Sequence, residues 1–192
     1  MKIYIGSDHA GYNLKEHLVP YIQGLGFEVV DAGAKQYDIG DDYPTYISKV
    51  AKAVSNFSHS RKGIVLGGSG NGEAMMANRF PGVRAAVFYG GALPVSSVDA
   101  EGKESRDPLE IVRLSRLHND ANVLSIGARF VSEDEAKQAV KVWLETKFEG
   151  EDRHMRRVRM LDTLAPHGKV LRYFVLLLLA VLVVVFLVLY RS

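Results

Sequence analysis

The stretch Ile64-Val65-Leu66-Gly67-Gly68-Ser69-Gly70-Asn71-Gly72-Glu73 restricts the fold of this chain more than any other. An apolar run opens into four glycines and closes on a carboxylate that starts a helical segment, Glu73 to Asn78. This is the pattern of a buried strand, a tight turn and a helix, and in open α/β sheets ligands bind at such junctions. The glycines let the backbone turn several N–H groups toward an anion, while Ser69 offers a hydroxyl and Glu73 a carboxylate. The same spacing also suits a strand-to-helix turn that carries no chemistry. A dinucleotide fingerprint needs a third glycine that is missing here, and no Lys-Ser/Thr follows as in a P-loop, which argues against nucleotide binding.

Around this junction, strand and helix signals alternate. Residues 2–7, 27–31, 62–66, 82–88 and 122–127 read as strands. Helices are expected over 12–25, from Pro44 to about 57, over 108–117, from a Ser132/Glu135 capping box to about 148, and from about 151. The alternation predicts right-handed βαβ units, hence an α/β fold with a mostly parallel five-stranded sheet covered on both faces. Residues 33–43 form a polar, acidic loop. Residues 89–107, rich in Gly, Ser, Pro and mixed charge, read as a long loop or insertion leaving the carboxyl end of the fourth strand. The chain has no cysteine, which excludes disulfides, thiolate metal sites and a cysteine nucleophile. A net charge of +2 with no basic stripe gives no reason to expect nucleic acid. The first residues enter a strand directly, with no secretory signal.

The end of the chain differs in kind. Residues 173–190 are 18 uncharged residues bounded by tyrosines and flanked by Arg172 and Arg191. As a helix they would span about 27 Å, close to the hydrocarbon core of a bilayer. A single transmembrane helix over 171–191 is therefore expected, joined by a linker at 166–170 to a domain covering 1–165. Lys169, Arg172 and the arginines before them place that domain on the cytoplasmic side of the membrane. Arg156 suits contact with anionic lipid.

Several short stretches, in order along about residues 2–161, resemble the type B ribose 5-phosphate isomerases, which share fold and chemistry with the galactose 6-phosphate isomerases. They are Gly6-Ser7-Asp8-His9-Ala10-Gly11, Asp42-Tyr43-Pro44, Gly67 to Glu73, Ala77-Asn78-Arg79, His118-Asn119-Asp120-Ala121-Asn122, Gly127-Ala128-Arg129, and Arg153-His154 with Arg157. The resemblance implies a Rossmann-like three-layer subunit working as a homodimer, with a tetramer as the alternative. It also implies sites built from both chains, and neither a metal nor an organic cofactor. It implies interconversion of an aldose phosphate and a ketose phosphate through an enediolate. Part of that family uses a cysteine immediately after the third strand as base. Here that position is Gly67, and the chain resembles the branch in which a glutamate, matching Glu73, does the work.

By the same resemblance Asp8 and His118 open the sugar ring, and Ser69 with the backbone of Gly70, Asn71 and Gly72 faces the developing oxyanion. Gly68 and Asn119 bind substrate, and His9, Arg129, Arg153 and Arg157 hold the phosphate. Arg153 and Arg157 are four apart and share a helix face. Asp8 and His118 are both expected on the carboxyl-edge side, meeting over the glycine loop. Two other readings are an isomerase of a six-carbon sugar phosphate, galactose or allose 6-phosphate, and a non-catalytic sugar-phosphate sensor at the membrane. The span and the long 89–107 loop depart from the family's usual pattern.

Overall fold

Side chains alternate across a strand, and where both faces of a sheet are apolar both must be covered. The computed structural model describes residues 1–57 and 60–164. Its strands β1 (Lys2–Ser7), β2 (Glu28–Asp31), β3 (Arg61–Gly67), β4 (Ala85–Phe88) and β5 (Val123–Gly127) form one sheet in the order β2-β1-β3-β5-β4, every pair parallel. On one face Ile3, Ile5, Ile64, Leu66, Leu124 and Ile126 pack with α1 (Tyr12–Gly24), α4 (Glu110–Leu117) and α5 (Glu133–Glu145), whose Trp143 is fully buried. On the other, Val65 and Val123 meet Ile47, Val50 and Val54 of α2 (Tyr43–Ser55) and Ala77 of α3 (Asn71–Ala77). The three-layer α/β arrangement is thus the expected one.

Local signals account for the element ends. Ser132 caps α5 by accepting the Glu135 N–H at 3.2 Å, and Pro44 stands in the first turn of α2. β4 starts at Ala85 rather than at Gly82, because the Arg84 N–H is taken at 2.8 Å by the Asn122 side-chain carbonyl instead of joining a ladder. Residues 89–109 hold no regular element, and the loop is tied at its base by the Ala92 N–H donating to Pro108 O at 3.0 Å.

The chain runs from β1 out to β2 and returns on the other side of β1 as β3. That reversal opens a crevice between the carboxyl ends of β1 and β3, the place where such sheets bind ligands. A buried ion pair borders it. Lys15 is fully buried in α1 and donates to Asp31 at 2.8 Å, while the other Asp31 oxygen takes the Gly33 N–H at 2.9 Å. This anchors the start of the loop that leads from β2 back to the crevice.

The chain divides into two units, Met1–Gly150 and a second beginning at Glu151. The second unit contains α6 (Asp152–Leu164). The expected linker and transmembrane helix at 166–170 and 171–191 lie outside the described residues. Among the described residues no helix is long and apolar enough to cross a membrane.

Candidate active site

Each strand end at the crevice delivers a functional side chain. β1 ends at Ser7, and Asp8 then caps a short 3-10 turn, His9–Gly11, by accepting the Ala10 N–H at 3.0 Å. Asp8 is buried. The next residue, His9, reaches a carboxylate 32 residues away: Asp41 Oδ1 accepts both the His9 backbone N–H, at 2.9 Å, and its Nδ1, at 2.7 Å. That hydrogen bond raises the imidazole pKa above its ordinary value, burial opposes the rise, and the Asp8 charge adds to it. Asp8, His9 and Asp41 lie with side-chain heteroatoms within 4.8 Å of one another, a spacing these hydrogen bonds account for.

β3 runs through Gly67 into the glycine loop. Gly70 has φ +78°, the left-handed region that glycine enters without strain, and stands at the N-cap of α3. Its carbonyl is held by the buried Ser125 hydroxyl at 2.6 Å, and the backbone N–H groups of Ala128 and Arg129 donate to Gly67 O and Gly68 O at 2.8 and 3.1 Å. The loop is therefore clasped by the end of β5. Gly67 is required by close approach: a Cβ there would lie 1.8 Å from Glu73 Oε1. The Glu73 carboxylate thus fills the space that a side chain at 67 would occupy, and the residue is only 4% exposed.

Burial pushes the Glu73 carboxyl above the ordinary glutamate range. Its own N–H and that of Gly70 favour the charged form and hold part of the rise back, while the Asp8 charge adds to it. The result is a carboxyl that holds its proton more readily than an ordinary glutamate. Ser69 and the loop N–H groups are partly engaged with one another, since Ser69 Oγ accepts the Asn71 N–H at 3.3 Å and the Gly70 N–H lies against Glu73. Arg129 is exposed and rests on Gly68, its Nη1 3.3 Å from where a Cβ would be. Its charge is felt by His9.

His118 and Asn119 are not in this crevice. They follow α4 and precede β5, whose first residue, Val123, pairs with Gly63 and Ala85 at the starts of β3 and β4. They therefore stand at the amino edge of the sheet. Glu73 and Asp8 stand at the carboxyl edge, a strand length of roughly 16 Å away at about 3.3 Å per residue. The expectation that Asp8 and His118 meet over the glycine loop does not hold within one chain, because a residue just before a parallel strand lies at the edge opposite to a residue just after one.

His118 lies 3.4 Å from Glu149 through Nε2, and Asn119 lines a cavity of about 220 Å³ with Val87, Ile111 and Leu124. The turn that carries both is held by Asp120, a non-glycine residue at φ +44°. Its carboxylate takes Arg84 at 2.7 Å and Arg116 at 2.8 Å, and its carbonyl takes Arg84 Nε at 3.0 Å. Nearby, burial and then the Arg116 guanidinium bring the Lys62 ammonium down to about 8.

Arg153 and Arg157 are on α6, in the second unit, where Arg153 pairs with Glu151 at 2.9 Å. Sequence reasoning missed Asp41 as a site residue. The only available signal was the acidic character of residues 33–43, a loop that leaves the strand next to β1.

The ribose/galactose isomerase family model matches residues 3–92 and 107–161. The chain is 35% identical over 162 residues to the ribose-5-phosphate isomerase B of Mycobacterium tuberculosis (strain CDC 1551 / Oshkosh), covering 84% of this chain and 88% of that one. It is 37% identical over 163 residues to the ribose-5-phosphate isomerase B of Escherichia coli (strain K12), covering 85% and 95%. Among solved structures it resembles the ribose-5-phosphate isomerase B of Mycoplasma genitalium with bound ribulose-5-phosphate, with a TM-score of 0.72 and 34% identity over 84% of this chain and 93% of that one. Residues 93–106, within the long loop, fall between the two matched segments.

Proposed function

The chain belongs to the ribose/galactose isomerase family, and we propose that it interconverts ribose 5-phosphate and ribulose 5-phosphate with Glu73 as the base. The observation that carries this reading is the Glu73 carboxylate, buried above Gly67 beside Asp8 with its pKa raised. Isomerisation removes a proton from the carbon next to a carbonyl and returns it one carbon over, so one group must act as base and then as acid. A carboxyl whose pKa is raised by burial suits both halves better than an ordinary one. Donors from the glycine loop and Ser69 stabilise the enediolate oxygen. His9 and Arg129 take the phosphate.

Asp8 and His118 share the ring-opening step, the histidine acting on the ring oxygen. Their separation to opposite edges supports a site completed by a second copy of the chain, whose amino edge supplies His118 and Asn119. The uncharged run at 173–190 supports tethering of the enzyme to a bilayer.

A coupled assay of ribose 5-phosphate conversion on the full chain, run beside a six-carbon sugar phosphate, tests the activity. Mixing refolded Glu73→Gln and His118→Ala chains, each inactive alone, tests the shared site. Random pairing restores about a quarter of the sites if His118 acts across the pair and none if it acts within its own chain. Release of the full chain from vesicles by detergent but not by alkaline carbonate is the outcome expected for the tether.

A further inference from the structure

Asp41 comes from the loop between β2 and α2, and one of its oxygens holds two different parts of His9. Oδ1 accepts the backbone N–H at 2.9 Å and the ring Nδ1 at 2.7 Å, and the Asp41 side chain is only 6% exposed. Gripping main chain and ring at one point fixes the histidine rotamer. It also commits Nδ1, so the ring can offer only Nε2 to a ligand. We propose that Asp41 is the positioning residue of the anion-binding side of this site, fixing the His9 ring and supplying the carboxylate with which its imidazolium pairs. This rests on the reading of His9 as a phosphate ligand.

The surroundings agree with that role. The groups facing His9 are Asp8, with Oδ2 3.9 Å from Nδ1, Asp41 itself, the Arg129 guanidinium after β5, and the ring of Tyr37, edge-on at 6.2 Å. From α2 the Tyr46 phenol faces Asp41 and Asp8. Burial raises its pKa first and the Asp41 charge second, so it stays a neutral neighbour. Two carboxylates therefore stand on the Nδ1 side of the imidazole, and the Arg129 charge is close enough to be felt by it. A histidine so placed keeps its charge to higher pH than a free imidazole, which favours an anion at its Nε2 side. Without the carboxylate, His9 would be largely uncharged at the pH where a phosphate is fully dianionic.

The test is Asp41→Asn in the full chain, because the amide oxygen can still accept the Nδ1–H while the charge is gone. The histidine signals are followed by NMR across about pH 5 to 9, the His9 signal being the one lost in His9→Gln. Inhibition by inorganic phosphate and the KM for ribose 5-phosphate are measured over the same range. We expect the His9 midpoint to fall, and KM and the phosphate inhibition constant to rise roughly tenfold near pH 7.5, as for one pKa unit of differential binding. The effect should fall on KM, leaving kcat within about threefold. Asp41→Asn should add nothing further in a His9→Gln background.

An unchanged His9 midpoint in Asp41→Asn would overturn the proposal, as would an equal rise in KM when His9 is already replaced. Lack of turnover in the unmodified chain would instead overturn the isomerase reading. The His9 titration and direct binding of inorganic phosphate would then still decide the role of Asp41.

Discussion

The two edges of the sheet hold their functional residues by opposite means. At the carboxyl edge the glycine backbone leaves just enough room for one carboxylate, and Glu73 fills it with Asp8 and Asp41 close by. Exclusion of water and like charge both push Glu73 toward its neutral form. At the amino edge Lys62, Arg84 and Arg116 crowd together, and one carboxylate, Asp120, binds two of them in a left-handed turn. There, opposite charges fix a shape. At the first edge burial outweighs the two N–H groups that hold the carboxylate, whereas at the second a carboxylate pairs with the two arginines around the turn. One chain contains both environments and keeps them a strand length apart.

The largest expected effect breaks the first environment. Glu73→Gln keeps the shape and removes the carboxylate proposed as the base, so turnover of ribose 5-phosphate should fall about a thousandfold or more in the coupled assay. The same variant should melt at a higher temperature than the unmodified chain at neutral pH. The sign follows from the raised pKa. In the unfolded chain the glutamate ionises at lower pH than in the folded one, so between the two values stability falls as pH rises, and an uncharged amide escapes that loss. Near-normal activity would remove Glu73 from the base role.

Gly67→Ala attacks the same environment through space. Its Cβ would lie 1.8 Å from Glu73 Oε1, so the carboxylate must move. A displacement of this size should lower kcat about a hundredfold while the KM for ribose 5-phosphate changes little, since His9 and Arg129 are untouched. Activity within about threefold of normal would show that packing against residue 67 is not what poises the carboxylate.

How far the chain could be read from its residues differs between the two edges for physical reasons. Elements set by local chemistry were legible: the Ser132 cap, Pro44 in the first turn of α2, and the apolar runs that became five parallel strands. The identity of Glu73 as the carboxylate of the glycine loop was legible too. Its contact with Gly67 was not, because six residues of spacing do not reveal that a side chain folds back over the turn it follows. The edge occupied by His118 was misread although its signal was present, since a residue just ahead of a parallel strand belongs to the amino edge. Asp41 could not be seen, because it meets His9 across 32 residues through an irregular loop. Contacts made by loops depend on the whole fold, and no periodicity announces them.

The smallest effect sharpens the comparison from the amino edge. Asp120→Asn removes charge but keeps a residue type that tolerates φ +44°, so it separates the ion pairs from backbone strain. Arg116, 6% exposed, would lose its carboxylate partner while keeping its bond to Ala121 O at 2.6 Å. The cost should be about 2 kcal/mol, below the range for a fully buried pair because Asp120 is part-exposed, measured as a lower urea midpoint.

This deficit should depend on pH. Asp120 supports the Lys62 ammonium, whose pKa stands at about 8 in the folded chain, so that support exists only while Lys62 is charged. The difference between the variant and the unmodified chain should therefore narrow as pH rises past 8, leaving only the arginine pairs. A deficit within about 0.5 kcal/mol at pH 7 would mean that backbone bonds hold the turn. Those bonds run from Asp120 N–H to Arg116 O at 3.2 Å and from Ala121 N–H to Ser115 O at 2.9 Å. In that case the cation cluster is not what holds the turn that carries His118.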